Sequence, residues 1–231
     1  MPEDRARRYL LLAAGTAVTL TIGLHAVAPA LPLIQETFRL DDFQIALVTS
    51  AYVLPGVLFA IPLGVGADLL GRRRVFAVAG VLYGLMGIAQ GLAPTFEWLI
   101  AWRLLQGFAF AALMPLTVTI IGDAYPGLAQ VRAQGQRQAT MAAGNLVVPI
   151  IGAQLAAVVW SLPFMAQSVV IIPALLGLAV LGDRPSTDSP RRAYAGLALR
   201  SVRRRGFPSV LWLGFARFYA RFSVMAFLPL H

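Results

Sequence analysis

The chain has 231 residues, 58% of them hydrophobic and 13% charged, with a formal net charge of +9 and a mean hydropathy of +0.74. That balance belongs to an integral membrane protein and not to a soluble domain. Cysteine and lysine are absent, which excludes disulfides, thiolate metal sites, lysine nucleophiles and a lysine-linked retinal; with no folded aqueous domain, the positive charge fits membrane topology and not nucleic-acid binding.

A helical bilayer crossing takes roughly 20 apolar residues, and seven runs qualify. The first, 9–34, follows Arg5, Arg7 and Arg8 and contains His25. A signal peptide is the competing reading of its charged start and Ala28-Pro29-Ala30, but the run outlasts a signal core and more spans follow. The second run, 43–65, holds Tyr52 with Pro55 and Pro62, prolines that kink a membrane helix whose neighbours satisfy the freed carbonyls. A polar turn comes next, at 64–74, with Gly64, Asp68, Gly71, Arg72 and Arg73 between two apolar runs and hence at one membrane face. The third run, 75–92, carries Gly80, Gly84, Gly87 and Gly91, small residues spaced for close helix packing in lipid.

In the fourth run, 96–121, helical spacing puts Arg103, Gln106 and Gly107 on one face. A guanidinium at that depth needs a partner or a water-filled cavity. Arg132 and Arg137 read as loop arginines before the fifth run, 139–160, in which Asn145 and Gln154 are polar and Gly144, Pro149 and Gly152 follow Gly135. The sixth run, 164–181, contains Gln167; residues 183–207 form a basic linker whose segment 193–202 is either an interfacial helix on anionic lipid or a solvated loop. The seventh run, 209–230, bears Arg217 and Arg221 at i, i+4. Arg217 falls about 14 Å along a helix from Pro208, near the midplane, and so lines a cavity or meets a counter-charge. With the amino terminus cytoplasmic, Arg5, Arg7, Arg8, Arg72, Arg73, Arg74, Arg132, Arg137 and every arginine from 184 to 205 lie inside and Arg39 alone outside, as the positive-inside rule requires.

Three of these patterns resemble signatures of the major facilitator superfamily. Gly64, Asp68, Gly71, Arg72 and Arg73 resemble its loop between the second and third spans, with Leu69 where a basic residue is usual. Arg103, Gln106 and Gly107 match the Arg-x-x-Gln-Gly of its fourth span. Gly135, Gly144, Pro149 and Gly152 reproduce much of the fifth-span pattern of its antiporters, with Val148 and Ala153 in place of two glycines.

The resemblance implies an all-α membrane protein, with residues 1–182 as an amino-terminal six-helix bundle, 183–207 as a cytoplasmic linker and 208–231 as the seventh helix of an incomplete twelve-helix fold. It implies a proton-coupled exporter of drug-like or metabolite solutes, of the drug/proton antiporter branch, working by alternating access and present as a truncated chain. The polar turn would be a cytoplasmic gate in which Asp68 pairs with the opposite half, and the fifth-span glycines would slide against that half. Arg103, Gln106, Gly107 and His25 would couple protons or substrate, and Tyr52, Asn145, Gln154 and Arg217 are cavity candidates. Expected partners are a small-molecule substrate, protons, the lipid bilayer, and a missing carboxy-terminal half or a second chain. The expected location is a cell membrane of the bacterial inner type, crossed several times. Two histidines and no paired carboxylates within a span point away from an enzyme, a metal site or a cofactor. A seven-helix sensor or receptor, and a half-transporter acting as an oligomer, are the alternatives.

Overall fold

The computed structural model describes residues 3 to 182 together with Ser209, Trp212 and Ala216. The chain divides into two compact units, Met1–Ser186 and Thr187–His231. The expected linker 183–207 lies outside the described residues, as does the expected seventh span, with Arg217 and Arg221, apart from those three positions.

Among the described residues the first unit is built from helices alone, and six spans are long and apolar enough to cross a bilayer. The first is α1 (Glu3–His25), a 3-10 turn (Ala28–Ala30) and α2 (Leu31–Phe38). Pro29 and Pro32 lack the N–H that an unbroken helix would take from them, so the span breaks after His25. The second, α3 (Asp42–Leu70), opens on a capping box: Asp41 accepts from the Gln44 backbone N–H at 2.7 Å while the Gln44 side chain accepts from the Asp41 N–H at 3.0 Å. It closes at Gly71, whose φ of +94° lets α4 (Arg72–Gly91) start at the next residue. The fourth and fifth spans are α5 (Phe96–Ala124) and α6 (Gly127–Val158). The sixth consists of α7 (Leu162–Met165), a 3-10 stretch (Ala166–Val170) and α8 (Ile171–Val180).

Several boundaries differ from the expectation: α1 starts at Glu3, and α3 runs to Leu70, so Gly64 and Asp68 of the expected turn are helical and Gly71 alone separates the two spans. The largest difference is in the fifth span, which starts at Gly127 instead of 139, so Arg132 and Arg137 sit in the helix and not in a loop. The glutamines and arginines that precede the apolar run are good helix formers but too polar for hydrocarbon, and hydropathy therefore misses the turns they add.

Helix α5 is at the centre, against α1, α3 and α4; α4 backs onto the sixth span and α1 onto α6. The α4 glycines explain the second contact: a Cβ on Gly80, Gly84, Gly87 or Gly91 would run into Ala174, Ile171, the Phe164 carbonyl or Met165. Backbones of α4 and the sixth span therefore meet closely, where dispersion supplies the attraction that lipid cannot. Large apolar side chains left exposed on the outer helices, such as Val57, Val78, Leu146 and Ile172, are the surface that hydrocarbon or another protein covers.

Candidate functional site

Arg103 is 1% exposed and heads the fully buried side chains by size. It sits about 10 Å along α5 from Phe96, where an isolated cation costs several kcal/mol. Four acceptors hold it. Nε donates to the Val48 carbonyl at 3.1 Å, Nη2 to the Gly23 carbonyl at 2.7 Å, and Nη1 to Gln106 Oε1 at 3.1 Å and Gln90 Oε1 at 3.3 Å. The Tyr52 ring lies 4.6 Å from the guanidinium carbon and the Phe164 ring 5.4 Å, within cation–π range.

Among the described residues no carboxylate takes part. Gly23 is in the last turn of α1, where carbonyls run out of helical donors and the helix dipole places partial negative charge. Arg103 is thus both a cap and a counter-charge for the end of α1. Around it the amides orient one another. Gln90 Nε2 donates to Gln106 Oε1 at 3.0 Å, and Gln106 Nε2 donates to Gln167 Oε1 at 2.7 Å and to the Tyr83 carbonyl at 3.1 Å. The Tyr52 and Tyr83 hydroxyls pair at 3.0 Å against Gly23, where a Cβ would collide with both. Every span except α6 contributes to this network.

The other expected residues fall in several places. Gly107 lets α5 approach α3, since a Cβ there would meet the Tyr52 carbonyl at 2.5 Å and Pro55 at 2.9 Å. His25 ends α1 half-buried, with Nδ1 3.1 Å from the Thr21 carbonyl, and Tyr52 is packed into the Arg103 network and 1% exposed. Gln154 is exposed on α6; Asn145 is half-buried there, and its Oδ1 has no hydrogen-bond partner among the described residues. Gly64 and Gly135 have open space where a Cβ would be.

Gly144 and Gly152 differ from the expectation of a face turned to another half. A Cβ on Gly144 would touch Val18 at 3.3 Å and Thr21 at 3.4 Å, and one on Gly152 would strike the Ala26 backbone. Both pack on the first span, with Pro149 half-buried between them. The α1 break is therefore gripped from two sides, by Arg103 at Gly23 and by Gly152 at Ala26.

At the arginine-bearing end, Arg72 Nε donates to Asp68 Oδ1 at 2.8 Å, and its Nη1 donates to Asp123 Oδ2 near the end of α5. Asp68 thus has a partner across Gly71 within its own bundle, and Arg73 lies beside the pair. These side chains are between a fifth and a third exposed, a setting in which ion pairs contribute roughly 0–1 kcal/mol. Asp123→Asn is accordingly expected to change the unfolding free energy by less than about 1 kcal/mol in a denaturant titration of the detergent-solubilised chain.

Asp123, Gln90 and Tyr83 are site residues that sequence reasoning passed over. Gln90 was visible as an uncharged polar residue in an apolar run, and Asp123 as the only acid at the carboxyl end of α5.

The family model for the Major Facilitator Superfamily matches residues 11–231. The chain is 23% identical to the bacillibactin exporter of Bacillus subtilis, an alignment covering 96% of this chain and 58% of that protein. It is 31% identical to the multidrug efflux pump LfrA of Mycolicibacterium smegmatis, over 80% of this chain and 36% of that one. The chain therefore spans about half the length, or less, of these relatives. Among solved structures, a bacterial homologue of the human lysosomal transporter Spinster, inward-facing and unoccupied, superposes with a TM-score of 0.72 at 21% identity, covering 82% of this chain and 46% of that one. With the family match running from residue 11 to residue 231 and six spans folded like those of that homologue, the chain belongs to the Major Facilitator Superfamily.

Proposed function

We propose that the chain forms one wall of a secondary transporter, not an enzyme, that exports small drug-like or metabolite solutes by alternating access driven by protons. The observation that carries this reading is the Arg103 network: a permanent cation held by uncharged carbonyls, carboxamides and aromatic rings from five of the six spans. Moving α1 against α5 changes the solvation of that charge, so the position of the first span and the local electrostatics are tied. His25 lies two residues beyond Gly23, and a proton taken up there adds positive charge at the helix end whose dipole attracts Arg103. The exporter relatives support the direction of transport.

The turn at Gly71 and the amino terminus face the cytoplasm of a bacterial cell membrane in this reading, with residues 1–182 as the first bundle, 183–207 as linker and 208–231 as the next span. In the family's architecture the cavity lies between two six-helix halves, so the opposing wall comes from a second half, on the same polypeptide or on another chain. The turn residues Gly64, Asp68, Gly71, Arg72 and Arg73 form the gate between them.

The test is transport by the complete assembly in vesicles under an imposed pH gradient. A fluorescent drug is expected to move against its gradient and to stop when a protonophore collapses the pH difference. Export indifferent to the protonophore removes proton coupling, and no export of any tested solute removes the exporter reading.

A further inference from the structure

Arg137 is the other arginine buried among the described residues, 6% exposed, and its hydrogen-bond partners are not shared with Arg103. The two are held differently. Arg103 is fixed by two backbone carbonyls and two aromatic faces besides the Gln90 and Gln106 side chains, whereas the hydrogen-bond partners of Arg137 among the described residues are side chains alone. Its Nε donates to Gln134 Oε1 at 3.1 Å, Nη1 to Thr117 Oγ1 at 3.2 Å and to Met141 Sδ at 3.4 Å, and Nη2 to Gln138 Oε1 at 3.3 Å.

The three contacts to oxygen, at 3.1–3.3 Å, are longer than the roughly 2.7–2.9 Å of a charge-assisted pair, and the thioether is a poor acceptor. Gln134, Gln138 and Met141 are on α6 within about a turn of Arg137, so they can rotate aside without moving a helix. Nor is a carboxylate at hand. Among the described residues α6 has none, α1 has only Glu3 and Asp4 in its first turn, neither of them paired with Arg137, and α5 has only Glu97, at its far end, and Asp123, which is bound to Arg72. Gln136, Gln138 and Thr140 are exposed beside Arg137, giving a polar flank by which water and ligand reach it.

We propose that Arg137, with Thr117, Gln134 and Gln138, is an oxyanion-binding site between α5 and α6, taking a carboxylate or phosphate group. The oxyanion meets the edge formed by Nη1 and Nη2, displacing Met141 Sδ and Gln138 Oε1, while the Thr117 hydroxyl turns from the Met114 carbonyl to donate to it. Planar two-point contact of this kind is what a guanidinium offers and an ammonium does not. Arg137 lies about 15 Å along α6 from Gly127, a depth open to two sources, the phosphate of a lipid headgroup and the acidic group of a soluble molecule. The site does not depend on the transport reading, and either idea can fail without the other.

The experiment follows thermal unfolding of the purified chain in maltoside micelles, which contain no phosphate. One arm adds inorganic phosphate or acetate against chloride at matched ionic strength, and the other adds phosphatidylglycerol against an uncharged lipid. The midpoint is expected to rise in at least one arm, as for any ligand that binds only the folded state. Arg137→Gln should abolish the rise and Arg137→Lys should keep part of it. A rise with the soluble anions alone assigns the site to a solute, and a rise with lipid alone assigns it to a headgroup. No rise in either arm, or a rise that persists in Arg137→Gln, overturns the proposal. If Arg137→Gln does not fold, Thr117→Val decides: the anion concentration at half-effect should increase about fivefold for the lost hydrogen bond, and an unchanged value overturns the site.

Discussion

Arg103→Leu is expected to lower the unfolding free energy of the chain by about 2–4 kcal/mol, and to bring vesicle transport by the complete assembly below detection. Two effects oppose each other. Leucine removes a cation whose burial is costly, which by itself favours the variant. It also leaves the Gly23 carbonyl at the end of α1 without its donor, strips the Gln90 carboxamide oxygen of its partner and removes the charge that the α1 dipole attracts. Each buried acceptor left without a donor costs roughly 1–3 kcal/mol, and the neutral cage means that no carboxylate is stranded, so the loss stays below that of a broken buried ion pair. Arg103→Lys separates the contributions. An ammonium keeps the charge near the helix end but cannot reach Val48, Gly23, Gln90 and Gln106 together, so about half of the stability loss should remain. Urea titration in detergent measures both variants, and an Arg103→Leu chain as stable as the parent would show that the network does not hold the bundle together.

Gly152→Val is expected to destabilise the chain by about 3 kcal/mol or more, the upper part of the range for overpacking. The added Cβ would lie 2.5 Å from the Ala26 Cα and 2.8 Å from its carbonyl carbon. Those atoms are backbone at a break already set by Pro29 and Pro32, so the clash is relieved only by separating α6 from α1. A lowered midpoint in a thermal scan is the direct readout, on the order of 2–4 °C per kcal/mol for a chain of this size. Gly135→Val is the control. A Cβ there has nothing within 4 Å, and because valine is a slightly better helix former than glycine the change should leave the chain within about 0.5 kcal/mol of the parent or a little more stable. Equal losses at the two sites would mean that contact with α1 is not what requires glycine at 152.

The spans were legible because membrane insertion selects on a one-dimensional property, the length of an apolar run. The α4 glycines and the grouping of Arg103, Gln106 and Gly107 were legible for a similar reason, since helical period alone places them on one face. The start of α6 was not, because the glutamines and arginines before residue 139 are polar to a hydropathy window and helical to the backbone. Arg137 was accordingly read as a loop residue although it is buried between two helices.

Composition and run length by themselves determined that this is an all-α membrane protein with six crossings in its described part, and the short motifs pointed to its family. Tertiary structure alone decided who meets whom: that Gly23, Val48, Gln90 and Gln167 converge on the Arg103 and Gln106 pair, that Asp123 comes to Arg72, and that the glycines of α6 press on α1. The partners of Arg103 lie as far as 80 residues away in the chain. Their meeting depends on how helices cross, and that is set by packing summed over whole faces, which no local spacing encodes.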